Sequence, residues 1–187
     1  EGKDVYNISS ELGSYHIKND KIVLEKNVSV STSHGYKVLT DRLEYFAKTK
    51  KISSSNLVTI SGKTPSGEQL SIEGVGINGD LGSGNFSIVN KISTKFGKNL
   101  MISSKHASFN TNKDVVVFEK DMMAKKDNLD ITGDKLVVKY SSSGEIQDIE
   151  VLGNVRIQVG DKKYALCERA VMKDRSSQVE LTGKPEF

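Results

Sequence analysis

The chain has 187 residues, with 36% apolar and 6% aromatic side chains and no Trp, which excludes one deep globular core. That composition suits a narrow sandwich or solenoid whose interior is two side chains thick. Lys plus Arg number 27 against 24 Asp plus Glu, balanced in both halves, so the clustered cations that nucleic acid requires are missing.

Alternation of apolar and polar residues runs from the N-terminus onward, and helical periodicity is nearly absent. Strands rich in β-branched residues are expected over 21–30, 57–60, 70–77, 86–92, 115–118, 129–140, 146–159 and 178–181. Turn signals stand between them: Asn19-Asp20, His34-Gly35, the run Gly62-Lys63-Thr64-Pro65-Ser66-Gly67, Asn78-Gly79-Asp80, Lys126-Asp127-Asn128, Ser143-Gly144 and Gly160-Asp161. The result is an all-β meander.

A repeat of about 30 residues organises these strands. A polar pair followed by an apolar residue returns at that spacing, and the apolar markers are Val28, Val58, Ile92, Met122, Val155 and Pro185. A second series, Tyr15, Tyr45, Ile77, Phe109, Tyr140 and Met172, runs in phase with the first. Within a repeat the parity of alternation changes: Leu129 and Ile131 share one phase, Asp134, Leu136 and Val138 the other. One extra residue in a strand is a β-bulge, so a curled, twisting pair of sheets is expected. Neither end carries a cap, although Pro185 suits an edge strand. The chain opens mid-pattern without Met, as expected of a processed or trimmed chain.

Catalytic constellations are missing from the pattern. His16, His34 and His106 fall in different repeats, without a nucleophile elbow, metal-ligand spacing or phosphate loop. The recurring acids Asp41, Glu73, Asp134 and Glu168 would repel if stacked, and Lys105 interrupts them, so they are expected to hydrogen-bond at the bulges or line a solvated rim. Cys167 is the only cysteine, which excludes an intrachain disulfide; it reads as a small apolar filler. Lys50-Lys51, Lys125-Lys126 and Lys162-Lys163 read as edge-protecting charges. No apolar stretch has the length of a membrane span.

Several stretches resemble a known family. Ile131-Thr132-Gly133-Asp134-Lys135-Leu136, Gly144-Glu145-Ile146, Gly153-Asn154-Val155-Arg156-Ile157 and Val179-Glu180-Leu181-Thr182-Gly183-Lys184-Pro185 resemble the OstA/LptA proteins of lipopolysaccharide export. Earlier, Gly13-Ser14-Tyr15, Ile22-Val23-Leu24, Asn27-Val28-Ser29-Val30, Gly35-Tyr36-Lys37-Val38-Leu39-Thr40-Asp41 and Leu57-Val58-Thr59-Ile60 resemble LptC, the inner-membrane-anchored partner. The resemblance implies an elongated twisted β-jellyroll open along one side. Its LptC-like half would span 1–95 and its LptA/OstA-like half 96–187, in one continuous domain. It further implies a periplasmic protein of the bridge between inner and outer membranes of a Gram-negative cell, serving outer-membrane biogenesis. An anchor preceding the chain would tether it to the inner membrane. Partners implied are lipopolysaccharide and other β-jellyroll transport proteins joined edge to edge at the N- and C-terminal strands, with homo-oligomers through the same edges. No enzyme activity, cofactor or metal is implied. A covalent LptC–LptA junction and a longer LptC-type protein both fit two half-matches.

Lipid A acyl chains would lie in an apolar groove, at about 0.8 kcal/mol per buried methylene. The residues expected to line it are Leu24, Val28, Val30, Val58, Ile60, Phe109, Val117, Met122, Val155 and Ile157. The same residues would make an ordinary sandwich core. The alternative function is therefore a structural β-solenoid or adhesin segment with a closed core and no lipid. An openable seam and exposed end strands separate the two readings.

Overall fold

Alternating runs become strands, and the recurrent polar pairs bend them. The computed structural model describes residues 6–32, 35–63, 67–110, 115–141, 146–160, 163–173 and 178–187. The strands are β1 (Tyr6–Ser9), β2 (Leu12–His16), β3 (Lys21–Thr32), β4 (Lys37–Phe46), β5 (Lys51–Lys63), β6 (Gln69–Asp80) and β7 (Asn85–Phe96). They continue as β8 (Leu100–Ser104), β9 (His106–Asn110), β10 (Val115–Lys126), β11 (Leu129–Tyr140), β12 (Ile146–Val159), β13 (Lys163–Lys173) and β14 (Glu180–Thr182). All ladders are antiparallel in one 14-stranded sheet. β1 and β2 pair successive parts of β3, and β8 and β9 lie in succession between β7 and β10. The sheet therefore runs as a meander from a β1/β2 edge to a β14 edge.

Each long strand crosses a register shift near its middle, for example between Glu25 and Val28, Ser54 and Leu57, Glu119 and Met122, and Leu152 and Val155. At three of these corners the backbone turns left-handed: Lys26 and Asn27 have φ of 62° and 51°, Lys120 and Asp121 65° and 55°, Gly153 and Asn154 71° and 49°. Gly183 and Lys184, at 82° and 56°, repeat the form just beyond β14. The strand bends there, so its two halves belong to two facing layers.

The neighbouring chain segment supplies a polar clasp at the same level. Asn27 Nδ2 donates to Glu11 Oε1 at 2.5 Å, Lys105 pairs with Asp121, and Asn154 Nδ2 donates to Asp134 Oδ2 at 2.9 Å. Glu168 packs against Gly183, where a Cβ would meet the Glu168 Cβ at 2.4 Å. The recurring acids Asp134 and Glu168 thus sit at the bends. Left-handed backbone costs a non-glycine residue about 1–2 kcal/mol, which these contacts offset in part.

Inward side chains line up across the ladders as continuous rows. In the first layer Ile77, Ile88, Ala107, Phe118, Leu136, Val151, Ala170 and Leu181 stand directly opposite one another in turn, with Leu24 opposite Leu43 toward the N-terminal edge. In the second layer the row is Val30, Val38, Ile60, Ile72, Thr94, Ile102, Ala124, Ile131, Ile157 and Ala165. Nearer the corners come Val28, Val58, Ile92, Met122 and Val155, none above 2% exposed. On the outer side, Arg42 bridges Glu25 and Glu44, and Arg169 Nε reaches Glu150 Oε1 at 2.5 Å. These pairs lie at the level of Val23 and Val171, which are buried although their ladder partners are Glu44 and Glu150.

The structure corrects several expectations. Asn78-Gly79-Asp80 is no turn but the end of β6; the chain reverses after Asp80, through Leu81–Gly84. Gly79 is required there because Phe86 and Ile52 fill the space of its Cβ, at 2.5 and 2.8 Å. Strands β4 and β13 lie where the second marker series runs, and β14 begins two residues later than expected. His34, Thr64, Pro65, Ser66, Ser143, Gly144, Glu145, Asp161 and Lys162 lie outside the described residues.

Gly153→Ala and Gly160→Ala separate strain from packing at a bend. Both glycines are left-handed, but a Cβ at Gly153 would lie 2.3 Å from Asp134 Oδ2, whereas at Gly160 it would meet nothing within 4 Å. Urea unfolding is expected to show a loss of about 1 kcal/mol at Gly160 and about 2–3 kcal/mol at Gly153.

Candidate functional site

The interior between the two layers is the site to which the expected residues point. Val28, Val58, Val155, Met122 and Ile60 are 0, 0, 1, 2 and 8% exposed. Leu24, Val30, Phe109 and Ile157 are half-buried on the same inward rows. Phe109 stacks on Phe86 with ring centroids 5.2 Å apart and planes 11° from parallel.

Val117 is the exception. It stands opposite Ser108 and Val137, between the inward Val116 and the buried Phe118, so its side chain is on the outer side. Residues 115–118 are all apolar, and an unbroken apolar run carries no parity of its own.

The interior is filled by its own side chains. A depression of about 990 Å³ lies elsewhere, lined by Ser53, Asn78, Ser87 and Ser108 among others. Those four alternate with the buried Ser54, Ile77, Ile88 and Ala107, which places them on the outer side of the first layer. An apolar guest between the layers therefore needs the layers to part.

Their connectivity says where. At the corners every long strand continues covalently from one layer to the other. Away from the corners the described connections include turns at 47–50, 81–84, 97–99 and 127–128, and among the described residues the extensive backbone contacts are all between ladder neighbours. No ladder among the described residues joins the layers on that side. Tyr36 lies before β4 with its ring over Gly62, where a Cβ would meet ring carbon Cδ1 at 2.4 Å. Tyr140 ends β11 in the other layer and packs on the core. Burial holds both phenols above their ordinary range, Tyr140 to about 12, and Tyr36 contributes to the Tyr140 shift. Sequence reasoning placed Tyr140 in the second marker series; its electrostatic coupling to Tyr36 carries no local signal.

The remaining candidates stay apart. His16 closes β2 and His106 opens β9, where its Nδ1 is 3.5 Å from Glu119 Oε2 while Lys135 Nζ holds Glu119 Oε1 at 2.9 Å. Those contacts hold the Glu119 carboxyl below the usual carboxylate range, hydrogen bonding from Lys135 first. Cys167 is buried on the inward row opposite Val155. Lys125 pairs with Asp130 at 2.9 Å. Among the described residues no three His, Cys, Asp or Glu side chains converge as metal ligands, and no helix is long and apolar enough to cross a membrane.

Comparison with known proteins places this architecture. Residues 1–96 match the family model for lipopolysaccharide-assembly, LptC-related proteins. Residues 101–187 match the model for the LptA/(LptD N-terminal domain) LPS transport protein. A similar solved structure is LptH, the LptA homologous periplasmic component of the conserved lipopolysaccharide transport device of Pseudomonas aeruginosa. It is 11% identical over 62% of this chain and 82% of that one, with a TM-score of 0.53. At that identity the likeness is one of fold, an LptA-type β-jellyroll. Comparison with curated protein sequences gave no match.

A phenol whose folded pKa is raised stabilises the fold below its unfolded value near 10, and that contribution is lost as pH rises toward about 12. Thermal unfolding is expected to show a loss on the order of 2 kcal/mol across this window. Tyr140→Phe should make the loss distinctly shallower; an unchanged profile would place Tyr140 in water.

Proposed function

We propose, for a chain that belongs to the LptC-related lipopolysaccharide-assembly family and continues as an LptA/LptD-type module, a role as a stretch of the periplasmic lipopolysaccharide bridge. Its acyl cargo lies between the two layers. The observation that carries this reading is the asymmetric closure of the interior: covalent bends on one side and, among the described residues, no ladder between the layers on the other. Rows of Val, Ile and Leu run from the N-terminal to the C-terminal edge without a charged residue among them, so a chain entering at one strand meets apolar surface at the next. Transfer along such a path is passive, and energy comes from an ATPase elsewhere in the system.

Among the described residues β1 and β2 pair only with β3, and β14 only with β13, which supports joining to further jellyrolls. Ile8, Leu12, Tyr15 and Ile17 are 50–81% exposed at the β1/β2 edge, and Val179 and Phe187 are 48% and 87% exposed at the β14 end. A free strand edge offers backbone donors and acceptors, and adjacent apolar side chains add area to any strand that pairs there. In the middle, β7 pairs with β8 and β9, so the LptC-like half (1–95) and the LptA-like half (96–187) form one sheet. The junction that separate proteins would make between molecules is covalent here. A periplasmic location, with a tether to the inner membrane, follows from the same reading.

A photo-reactive residue at Val28, Phe109 or Val155 is expected to crosslink lipopolysaccharide, and one at Lys51 on the outer side is not. Absence of adducts at all three inner sites would make the interior a sealed core and favour the structural-solenoid alternative. Val28→Asp should abolish capture at Phe109 and Val155.

Removing residues 178–187 exposes β13 as the new edge. Co-purification with an LptA-type jellyroll through that end is expected to fall at least tenfold, while lipid crosslinking at Val28 persists. Undiminished co-purification would show that the C-terminal edge is not a joint.

A further inference from the structure

Among the described residues four polar side chains are buried in the interior: Thr40, Ser54, Thr94 and Ser104, at 7, 9, 3 and 6% exposure. Three of them serve the bends. The Thr40 and Ser54 hydroxyls lie 3.2 Å apart, Thr40 Oγ1 also reaches the Arg42 carbonyl, and Ser54 Oγ accepts the Asn56 N–H at 3.2 Å. Ser104 Oγ donates to the His106 carbonyl at 3.0 Å, across the kink between β8 and β9.

Thr94 has no such task. It stands in a regular stretch of ladder, between Ile72 on β6 and Ile102 on β8. Its Oγ1 is buried and without a hydrogen-bond partner. A hydroxyl taken from water and left unpaired is a standing cost that an isosteric Val would not carry. The position is also particular: β7 closes the LptC-matching segment, and β8 opens the LptA-matching one.

We propose that Thr94 is a ligand-binding residue of the interior, its hydroxyl hydrogen-bonding the 3-hydroxyl carried by the guest acyl chain near its root. The inference rests on the reading of the interior as an acyl-chain site and deepens it. A methylene chain slides along Ile60, Ile72, Ile102 and Ala124 without preferred register. One hydrogen-bonding group among them fixes how deep the chain lies and which chains are favoured. Thr94 is thereby a specificity residue placed where the two family segments meet.

The test uses displacement of a fluorescent fatty acid from the whole chain by tetradecanoic or 3-hydroxytetradecanoic acid, in the parent protein, Thr94→Val and Thr94→Ser. The parent is expected to prefer the hydroxylated acid about three- to tenfold. Thr94→Val should bind both alike, with an unfolding temperature equal to or above the parent's, and Thr94→Ser should restore the preference. Equal affinities in the parent, or a preference that survives in Thr94→Val, would overturn the proposal alone, provided lipopolysaccharide still crosslinks at Val28. If neither acid binds and crosslinking fails too, the acyl-chain reading falls with it. A Thr94→Val protein that melts several degrees lower would show the hydroxyl bonded within the fold, which also overturns the proposal.

Discussion

The corner in the middle of each long strand, left-handed in β3, β10 and β12, is the constraint on which everything else in this molecule depends. A strand that stayed extended for 12 residues would lie in one layer and leave its inward face wet. In β3, β10 and β12 two consecutive residues at positive φ fold it over, so that one strand covers both sides of its own core. Lys-Asn, Lys-Asp and Gly-Asn fill these positions, and Gly-Lys the matching one just beyond β14. Gly and Asn reach that conformation most cheaply, and the clasps from Glu11, Lys105, Asp134 and Glu168 hold it from the adjacent chain segment. The repeat of about 30 residues is the length of two strands plus two turns, which is why the corner recurs at that interval.

From the corners follows an uneven distribution of strength. Backbone hydrogen bonds hold each ladder and covalent bonds hold each bend, whereas among the described residues no ladder joins the layers on their far side. The outer ion pairs around Val23 and Val171 are partly solvated and add little to stability. Their Arg stems cover apolar surface that would otherwise be wet near the two edges. Parting the layers thus breaks dispersion contacts and apolar burial, and no hydrogen-bonded ladder. That is the kind of opening a methylene chain can compensate with contacts of its own.

Much of this was legible in the residues, because β-structure writes its period directly into the chain. The corner pairs and the phase change were visible as a repeat and a shift of parity, and nine of the ten interior candidates fell on inward rows. Val117 was illegible for a physical reason: in Val115-Val116-Val117-Phe118 only the partners across the ladder decide which side is in. Asn78-Gly79-Asp80 has the composition of a turn, yet its glycine answers to Phe86 on the next strand. Tyr36 and Tyr140 influence each other from opposite layers, from segments that are not ladder neighbours. Thr94 is one Thr among several until its ladder partners, both Ile, are known.

The unbroken ladder between β7 and the pair β8/β9 has a consequence for assembly. Joints made by edge pairing between separate molecules obey mass action: they loosen on dilution and compete with every other free edge. A joint inside one chain has no such dependence, because its two sides are held at a fixed effective concentration by the short connection through Gly97. It also cannot form in the wrong order or with the wrong neighbour. A filament built from such units has fewer places at which concentration, and not geometry, decides whether it is continuous.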